Sequence, residues 1–279
     1  MAKARFDCQF NGAPSRDRMV PDLSAFLAAH RVDSASIADW PRFLTLLEKL
    51  TDGSIMLEWK PTAAERDLAL STIDVLIGRI SSVEGADAAF WRQTLKTTKA
   101  LTQSRFQTDP EDITISDVNL RDAAMGENLI WLAREAYPRR KIVVWAATFH
   151  NVRNAHLIDS GMPDFSYSEL TTMGHHAWQA LGDAIYNVGF TAHAGEHAWF
   201  NGKPTPLLPP PSGSLEELWG ATGHEDAFVD LRRIRPGGEW LGAPLLSSPL
   251  GYAPMMADWT QVLDAMVFTR TMRPSTPAD

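Results

Sequence analysis

The fold class of this chain is decided by residues 119–154, which read NLRDAAMGENLIWLAREAYPRRKIVVWAATFHNVRN. Apolar side chains recur at helical spacing over residues 117–137, and Pro138 follows as a stop signal. Residues 141–147, KIVVWAA, then form a short apolar run rich in β-branched side chains, which is typical of a strand buried on both faces of a parallel sheet. A helix that leads into such a strand predicts an α/β fold.

The rest of the chain extends this pattern in both directions. Helical spacing of apolar residues, with Pro61 opening one segment and Ser214 as an N-cap, predicts helices over residues 21–32, 40–50, 61–80, 86–107, 170–181 and 214–221. Short apolar runs predict strands over residues 184–191, 227–231 and 265–269. The proline-rich segment 204–213 is predicted to be an exposed connection. We therefore expect a partial parallel sheet flanked by helices.

Composition excludes several classes of function. The 34 acidic and 26 basic side chains leave a formal net charge of −8, which opposes binding to nucleic acid. The single cysteine, Cys8, allows no intrachain disulfide, and no continuous apolar segment is long enough to span a membrane. We expect a cytoplasmic protein that binds neither nucleic acid nor membrane.

His150 is the first candidate for chemistry. It follows the predicted strand 141–147 by a few residues, and ligands of open parallel sheets bind outside the carboxyl ends of strands. Histidine has an ordinary pKa of about 6.5, which suits proton transfer at neutral pH. The alternative is a loop histidine that is bonded to a backbone group.

The helix before this strand carries the second group of candidates. Arg121, Met125 and Asn128 lie on one face, one or two turns apart. Asp122 lies roughly 100° around the helix from Arg121, so it need not pair with Arg121 and we consider it as a residue that orients a partner such as His150. The alternative is a helix face in contact with solvent.

A third feature is the string His193-Ala-Gly-Glu196-His197, which matches the H-x-x-E-H motif of zinc proteases. That chemistry needs a helix to bring both histidines to one face, whereas here Gly195 sits centrally and a predicted strand comes directly before. We interpret the segment as a polar loop and predict no metal and no cofactor. The sequence also lacks a G-x-S-x-G elbow, a P-loop and a dinucleotide-binding glycine string.

Residues 119–154 resemble a signature block of the erythromycin-esterase family, in which an R-D-x-x-M-x-x-N helix leads into a K-[IV]-V-V-W-A strand and a histidine-bearing loop. FDCQFNG near the start, residues 173–191 and residues 249–268 resemble further family segments. Members of this family hydrolyse esters, and the best-known members open the lactone ring of macrolides without an obligatory metal. The resemblance implies a first core strand segment at 1–19, a helical cap subdomain at 20–108 and an α/β core at 109–279.

The resemblance also implies roles for particular residues. His150 is the residue that matches the catalytic region, and Arg121, Asp122 and Asn128 match the helix motif near the site. We therefore expect His150, Asp122 and Arg121 to act in catalysis, and Asn128, Met125 and Trp145 to bind the substrate. The family activates water with a histidine in a G-E-x-x-H-type segment, which this sequence does not contain. Ala147 stands where many members have another histidine.

Two functions are therefore open. One is an erythromycin-esterase-like hydrolase of a carboxylic ester or lactone, with macrolides and antibiotic resistance as the family precedent. The other is a catalytically impaired, truncated family member that binds a small molecule. A zinc hydrolase built on the H-x-x-E-H string is a weaker third. Because a sheet without its first strands would leave an edge uncovered, we also expect that the chain forms a homodimer, covers the gap with rearranged helices or is poorly soluble alone.

Overall fold

The computed structural model describes most of the chain as helices and short strands. The described residues are 13–52, 59–107, 114–163, 166–198, 203–234 and 237–274. The predicted first strand, with FDCQFNG and Cys8, lies in residues 1–12, outside the described residues. The chain divides into two compact units, Met1–Ile142 and Val143–Asp279.

The described part of the first unit is helical. Its helices are α1 (Ala13–Ala29), α2 (Trp40–Thr51), α3 (Ala63–Arg79), α4 (Ala86–Gln107) and α5 (Ile115–Trp131), and a π-helical turn, Leu132–Ala136, continues α5. The predicted helices in this half of the chain are confirmed. Along the described residues, no helix combines the length and apolar content that a membrane crossing requires.

The core of the first unit is built from the apolar faces that the sequence pattern predicts. Leu23 of α1, Phe43 and Leu47 of α2 and Ile73 and Leu76 of α3 are almost completely buried in one cluster. Residues three or four apart lie on the same side of a helix, so each pattern produces one continuous apolar face.

The second unit is a small mixed sheet with short helices. Its helices are α6 (Thr148–Asn151), α7 (Met173–Leu181), α8 (Leu215–Ala221) and α9 (Trp259–Val262). Its strands are β1 (Val188–Ala198), β2 (Pro204–Pro206), β3 (Asp226–Asp230), β4 (Leu245–Ser247), β5 (Met255–Ala257) and β6 (Ala265–Met272). One sheet has the order β2-β1-β6-β3, in which β1 and β6 are parallel, and β4 pairs with β5 separately. This mixed arrangement confirms the α/β fold class.

Two predicted strands are confirmed and one begins elsewhere. The predictions at 227–231 and 265–269 correspond to β3 and β6. The prediction at 184–191 overlaps β1, but β1 begins at Val188 and continues to Ala198 because it pairs along most of the length of β6. The predicted helix at 214–221 is α8, and Ser214 Oγ accepts a hydrogen bond from the Glu217 N–H at 3.2 Å.

The strand prediction for residues 141–147 is wrong. The segment belongs to no strand, and Val143 and Trp145 are 78% and 80% exposed. A strand forms only where a neighbouring strand completes its hydrogen bonds, and no described strand pairs with this segment. The predicted connection 204–213 is exposed at its start, but Pro204–Pro206 forms β2 at the sheet edge, where proline is tolerated.

Candidate functional site

Helix α5 carries four of the predicted site residues, and a capping box sets where it begins. Thr114 Oγ1 accepts a hydrogen bond from the Asp117 N–H at 3.3 Å, and the Asp117 carboxylate accepts one from the Thr114 N–H at 2.9 Å. These bonds satisfy backbone donors that a helix start otherwise leaves free. The helix phase, and with it the direction of each site residue, is therefore set one turn before Arg121.

The buried face of α5 includes three of the predicted residues. Asp122, Met125 and Asn128 are only 0%, 1% and 5% exposed, and Arg121 is half-buried. The alternative of a helix face in contact with solvent is therefore wrong for these three. Charged and amide side chains are rarely buried unless they are bonded, so burial of Asp122 and Asn128 requires polar partners.

Asn128 has such partners on α4. Its side-chain oxygen Oδ1 accepts hydrogen bonds from Gln93 Nε2 at 2.6 Å and from Thr97 Oγ1 at 2.9 Å. All three side chains are buried, so the bonds are shielded from water. Asn128 therefore joins α5 to α4, which is a structural role in addition to the predicted substrate contact.

His150 and Trp145 lie in the second unit. His150 is half-buried in the single-turn helix α6, its backbone N–H donates to the Ala147 carbonyl at 3.0 Å, and its ring meets Phe149 edge-on at 5.2 Å. Trp145 is exposed, and its ring lies 5.6 Å from that of Phe190 on β1. An imidazole in this setting is partly accessible to solvent and to small molecules.

An ion network around the buried carboxylate of Asp264 anchors the segment that carries His150. Asp264 Oδ1 accepts hydrogen bonds from Arg153 Nη1 at 2.5 Å and from Arg232 Nε at 2.7 Å, and Oδ2 accepts one from the Asn187 N–H at 2.6 Å. The Arg153 N–H also donates to the Val262 carbonyl at 3.1 Å. These bonds tie the residues after α6 to the starts of β1 and β6.

The network also determines the charge state of Asp264. Burial by itself raises the pKa of this carboxyl, but the hydrogen bonds from Arg232, the Asn187 N–H and Arg153 outweigh burial and hold the pKa below its ordinary value. The group is therefore ionised at neutral pH, and it supplies the counter-charge for both guanidinium groups.

A second anchor joins the same segment to α7. The Asn154 N–H donates to His175 Nδ1 at 3.1 Å, and Asn154 Nδ2 donates to the Gln261 carbonyl at 2.9 Å. Burial lowers the pKa of His175, and the neighbouring His176 and His156 lower it further. The ring is thus neutral at pH 7, as an acceptor at Nδ1 requires, and its hydrogen is on Nε2.

Close packing completes the attachment of this segment to α7. A Cβ added at Gly174 would lie 2.0 Å from the Asn151 carbonyl oxygen, so only glycine allows the approach. Thr172 Oγ1 donates to the Val152 carbonyl and accepts a bond from the His175 N–H at 3.1 Å. The chain directly after His150 is therefore held on several sides.

The two groups of predicted residues belong to different units. Arg121, Asp122, Met125 and Asn128 lie in the first unit, and Trp145 and His150 in the second. Within the second unit, α6 lies beside the start of β1, where the Thr148 methyl carbon would be 3.3 Å from a Cβ added at Gly189. The argument from the carboxyl end of a strand loses its basis because residues 141–147 form no strand, and the catalytic role of His150 stays a prediction.

The H-x-x-E-H string forms part of β1, so the prediction of a polar loop is wrong. His193 Nδ1 lies 3.1 Å from the Glu216 carbonyl oxygen, and the His197 ring packs against Tyr252 at 5.1 Å. Within the described ranges, no three His, Cys, Asp or Glu side chains are grouped so that they could hold a metal ion. An extended strand does not bring residues one helical turn apart to the same point.

Sequence reasoning missed the residues that anchor the His150 segment. Arg153 and Asp264 lie in stretches that resemble family segments, but Arg153, Arg232 and Asp264 are far apart along the chain, so nothing local indicates that the three meet. His175 also lies in a stretch that resembles a family segment, and such a resemblance was the signal available for these residues. The specific role of His175 depends on Asn154, whose backbone has a left-handed φ of 50°.

Comparison with known proteins gives one family match and one sequence relative. A family model described as "Erythromycin esterase" matches residues 56–272. The Bacillus subtilis (strain 168) protein "Putative hydrolase YbfO" is 28% identical over 172 residues, which make up 60% of this chain and 38% of that protein. The chain thus spans well under half the length of this relative.

Three solved structures share the fold, each over 95% of this chain. A Bacillus cereus protein has a TM-score of 0.69 at 16% identity with 65% of its length covered. A succinoglycan biosynthesis protein has a TM-score of 0.65 at 16% identity with 63% covered. A mutant of the erythromycin esterase EreC in its open conformation has a TM-score of 0.64 at 13% identity with 67% covered.

Proposed function

Since this chain belongs to the erythromycin esterase family, we propose that it is a hydrolase that cleaves a carboxylic ester or a lactone by attack of water. The family match over residues 56–272 is the observation that carries this proposal. The relative named as a hydrolase supports the same reaction class. The proposed substrate is a small molecule, with macrolide lactones as the first candidates because of the family name.

In this proposal His150 moves the proton. The water oxygen attacks the acyl carbon while its proton passes to the imidazole, which then protonates the departing alkoxide oxygen. In an alternative role for the same side chain, an imidazole N–H stabilises the oxyanion of the tetrahedral intermediate. Ala147 replaces a histidine that many family members have at this point, so His150 is the imidazole on which the proposal depends.

The other predicted residues orient and bind. Asp122 and Arg121 are proposed to act in catalysis as positioning residues, and Met125, Asn128 and Trp145 are proposed as substrate contacts. Support for a well-positioned His150 comes from the second unit, where Arg153 and Asn154 hold the chain directly after α6. Catalytic groups act efficiently only when their surroundings restrict their position.

A matched pair of histidine variants tests the proposal. We expect the purified chain to hydrolyse p-nitrophenyl esters or erythromycin, and His150→Ala to lower kcat/KM by roughly 100-fold or more, the usual contribution of a general acid–base group. The control His224→Ala removes an exposed imidazole and should leave kcat/KM unchanged.

The outcomes of this assay separate the two functions. Equal rates for wild type and His150→Ala would contradict the role of His150. Absence of turnover for every ester and lactone, together with a rise in melting temperature on adding them, would instead indicate the small-molecule binding protein. The oligomeric state measured on the same sample tests the expected homodimer.

A further inference from the structure

Glu216, on helix α8, is an acidic residue that is only 1% exposed. Its carboxylate oxygen Oε1 accepts hydrogen bonds from Thr191 Oγ1 at 2.5 Å, from Ser247 Oγ at 2.6 Å and from the Ser248 N–H at 2.9 Å. The first donor lies in β1, and the other two lie at and after the end of β4. Three donors converge on one oxygen, so this half of the carboxylate is fully used.

The second oxygen, Oε2, is buried and has no hydrogen-bond donor among the residues that the structure describes. None of the ion pairs found within the same residues involves Glu216. A buried charged oxygen without a donor or a counter-charge is costly, and proteins normally pair such groups. Oε2 is therefore an acceptor that is suited to a ligand.

A small cavity has Glu216 in its wall. Glu216 and Ser248 form part of its wall together with Ala192, Tyr252 and an apolar rim from Leu207 to Pro211 and Pro254. Its volume is about 20 Å³, and a group the size of one water molecule needs roughly 10–15 Å³ on this measure. Leu208 on the rim is 78% exposed, so the cavity wall reaches the protein surface.

Tyr252 also lines the cavity. Its backbone has a left-handed φ of 62°, a conformation that is uncommon for a non-glycine residue. Burial raises the pKa of its phenol, so the hydroxyl remains protonated at neutral pH and the ring remains uncharged. The Tyr252 ring packs against the His197 ring at 5.1 Å and lines the same cavity as Glu216, and the face of a neutral aromatic ring attracts cations.

From these features we propose that this cavity binds the ammonium group of a small primary alkylamine. The N–H donors fill the free acceptor Oε2 of Glu216, and the positive charge balances the buried carboxylate. The inner space admits one group of ammonium size, and the leucine and proline rim packs against a short alkyl chain. A water molecule would supply a donor but no charge. The site lies outside the residues proposed for hydrolysis, so it does not depend on that function.

Ligands that differ in one property test the proposal on the unmodified chain. Isothermal titration calorimetry at constant ionic strength would compare n-butylammonium with n-butanol, which lacks the charge, and with tetramethylammonium, which lacks N–H donors. We expect n-butylammonium to bind at least about tenfold more tightly than either, because hydrogen bonds to charged groups are the stronger ones. Equal binding of n-butanol, or no binding of n-butylammonium, would overturn the proposal.

Two variants and one control locate the binding. Glu216→Gln keeps the shape but removes the charge, and it should weaken n-butylammonium binding by about tenfold or more. Glu225→Gln, whose side chain is 79% exposed, is the matched control and should bind as wild type. Leu208→Ala alters only an exposed rim position, so it should fold even if Glu216→Gln does not. Leu208→Ala should weaken n-butylammonium binding, because the rim contacts the alkyl chain, but leave methylammonium binding unchanged. Unchanged n-butylammonium binding together with weaker methylammonium binding would place the ligand elsewhere.

Discussion

Asp264→Asn is expected to lower the free energy of unfolding of the second unit by about 3–5 kcal/mol, the usual cost of breaking a buried ion pair. Asp264 is 1% exposed and is the shared acceptor for Arg153 and Arg232. Without its charge, the guanidinium of Arg153, whose side chain is 10% exposed, stays buried with no counter-charge.

The size of this loss in stability follows from the three groups that donate to Asp264, which are Arg153, Arg232 and the Asn187 N–H. The Arg232 side chain is 29% exposed, so water compensates part of its loss. An asparagine side chain has one acceptor oxygen where the carboxylate has two, so Arg153 or the Asn187 N–H loses its acceptor. An unsatisfied buried donor costs about 1–3 kcal/mol, which adds to the loss of charge pairing. Arg153 and the orphaned donor therefore account for most of the effect.

Urea unfolding followed by tryptophan fluorescence measures this change, because Trp259 of α9 is almost completely buried in the same unit. The control is Asp226→Asn, which removes an exposed carboxylate in β3 and should change stability by less than about 0.5 kcal/mol. If Asp264→Asn lowered the free energy of unfolding by less than about 1 kcal/mol relative to this control, the ion network around Asp264 would not be the anchor described above.

The pH dependence gives an independent check on the same network. The folded pKa of Asp264 lies below its ordinary value of 3.8, so the unfolded chain binds the proton more readily. The stabilisation is fully present above the unfolded pKa and is lost as the pH falls through the lower folded pKa. The stability difference between wild type and Asp264→Asn should therefore shrink only under acidic conditions, below about pH 4.

Three further predictions concern the packing and polar contacts of each unit. Gly174→Ala would place a Cβ 2.0 Å from the carbonyl oxygen of Asn151, so it should lower the free energy of unfolding in urea by about 1–3 kcal/mol or more. The control is Gly78→Ala in α3, whose added Cβ meets nothing within 4 Å and should be neutral or stabilising. Asn128→Ala should cost about 1–3 kcal/mol in the same assay because two buried donors of α4 lose their acceptor; an unchanged midpoint would contradict this. The folded pKa of His175 is lowered by burial, so its stabilisation should be lost as the pH falls below its ordinary pKa of 6.5, and His175→Gln should remove that part of the pH dependence in thermal melts.

The helices were predictable because their signal is local. In α2, Phe43, Leu46, Leu47 and Leu50 recur at helical spacing, and each of them is buried. Predicted and observed bounds of α4 coincide at residues 86 and 107. Such a pattern specifies both the helix and its buried face, whichever element the face contacts.

The strands were less predictable because a strand needs a partner. Residues 141–147 have the composition of a buried strand but belong to none, whereas the polar residues His193 and Glu196 lie within β1. β1 continues past its apolar part because β6 pairs with it as far as Gly195 and Met272. Pairing of this kind joins distant parts of the chain, so a local pattern predicts it poorly.

By itself the sequence determined the α/β class, the helices with their buried faces, the family and the residue types on which the proposed hydrolase depends. Only the tertiary structure decided which strands pair, and that the charged residues Asp264, Arg153 and Glu216 are buried. The physical reason is that helical periodicity is a property of neighbouring residues. Burial and pairing of a charge depend instead on groups that folding brings together from far along the chain.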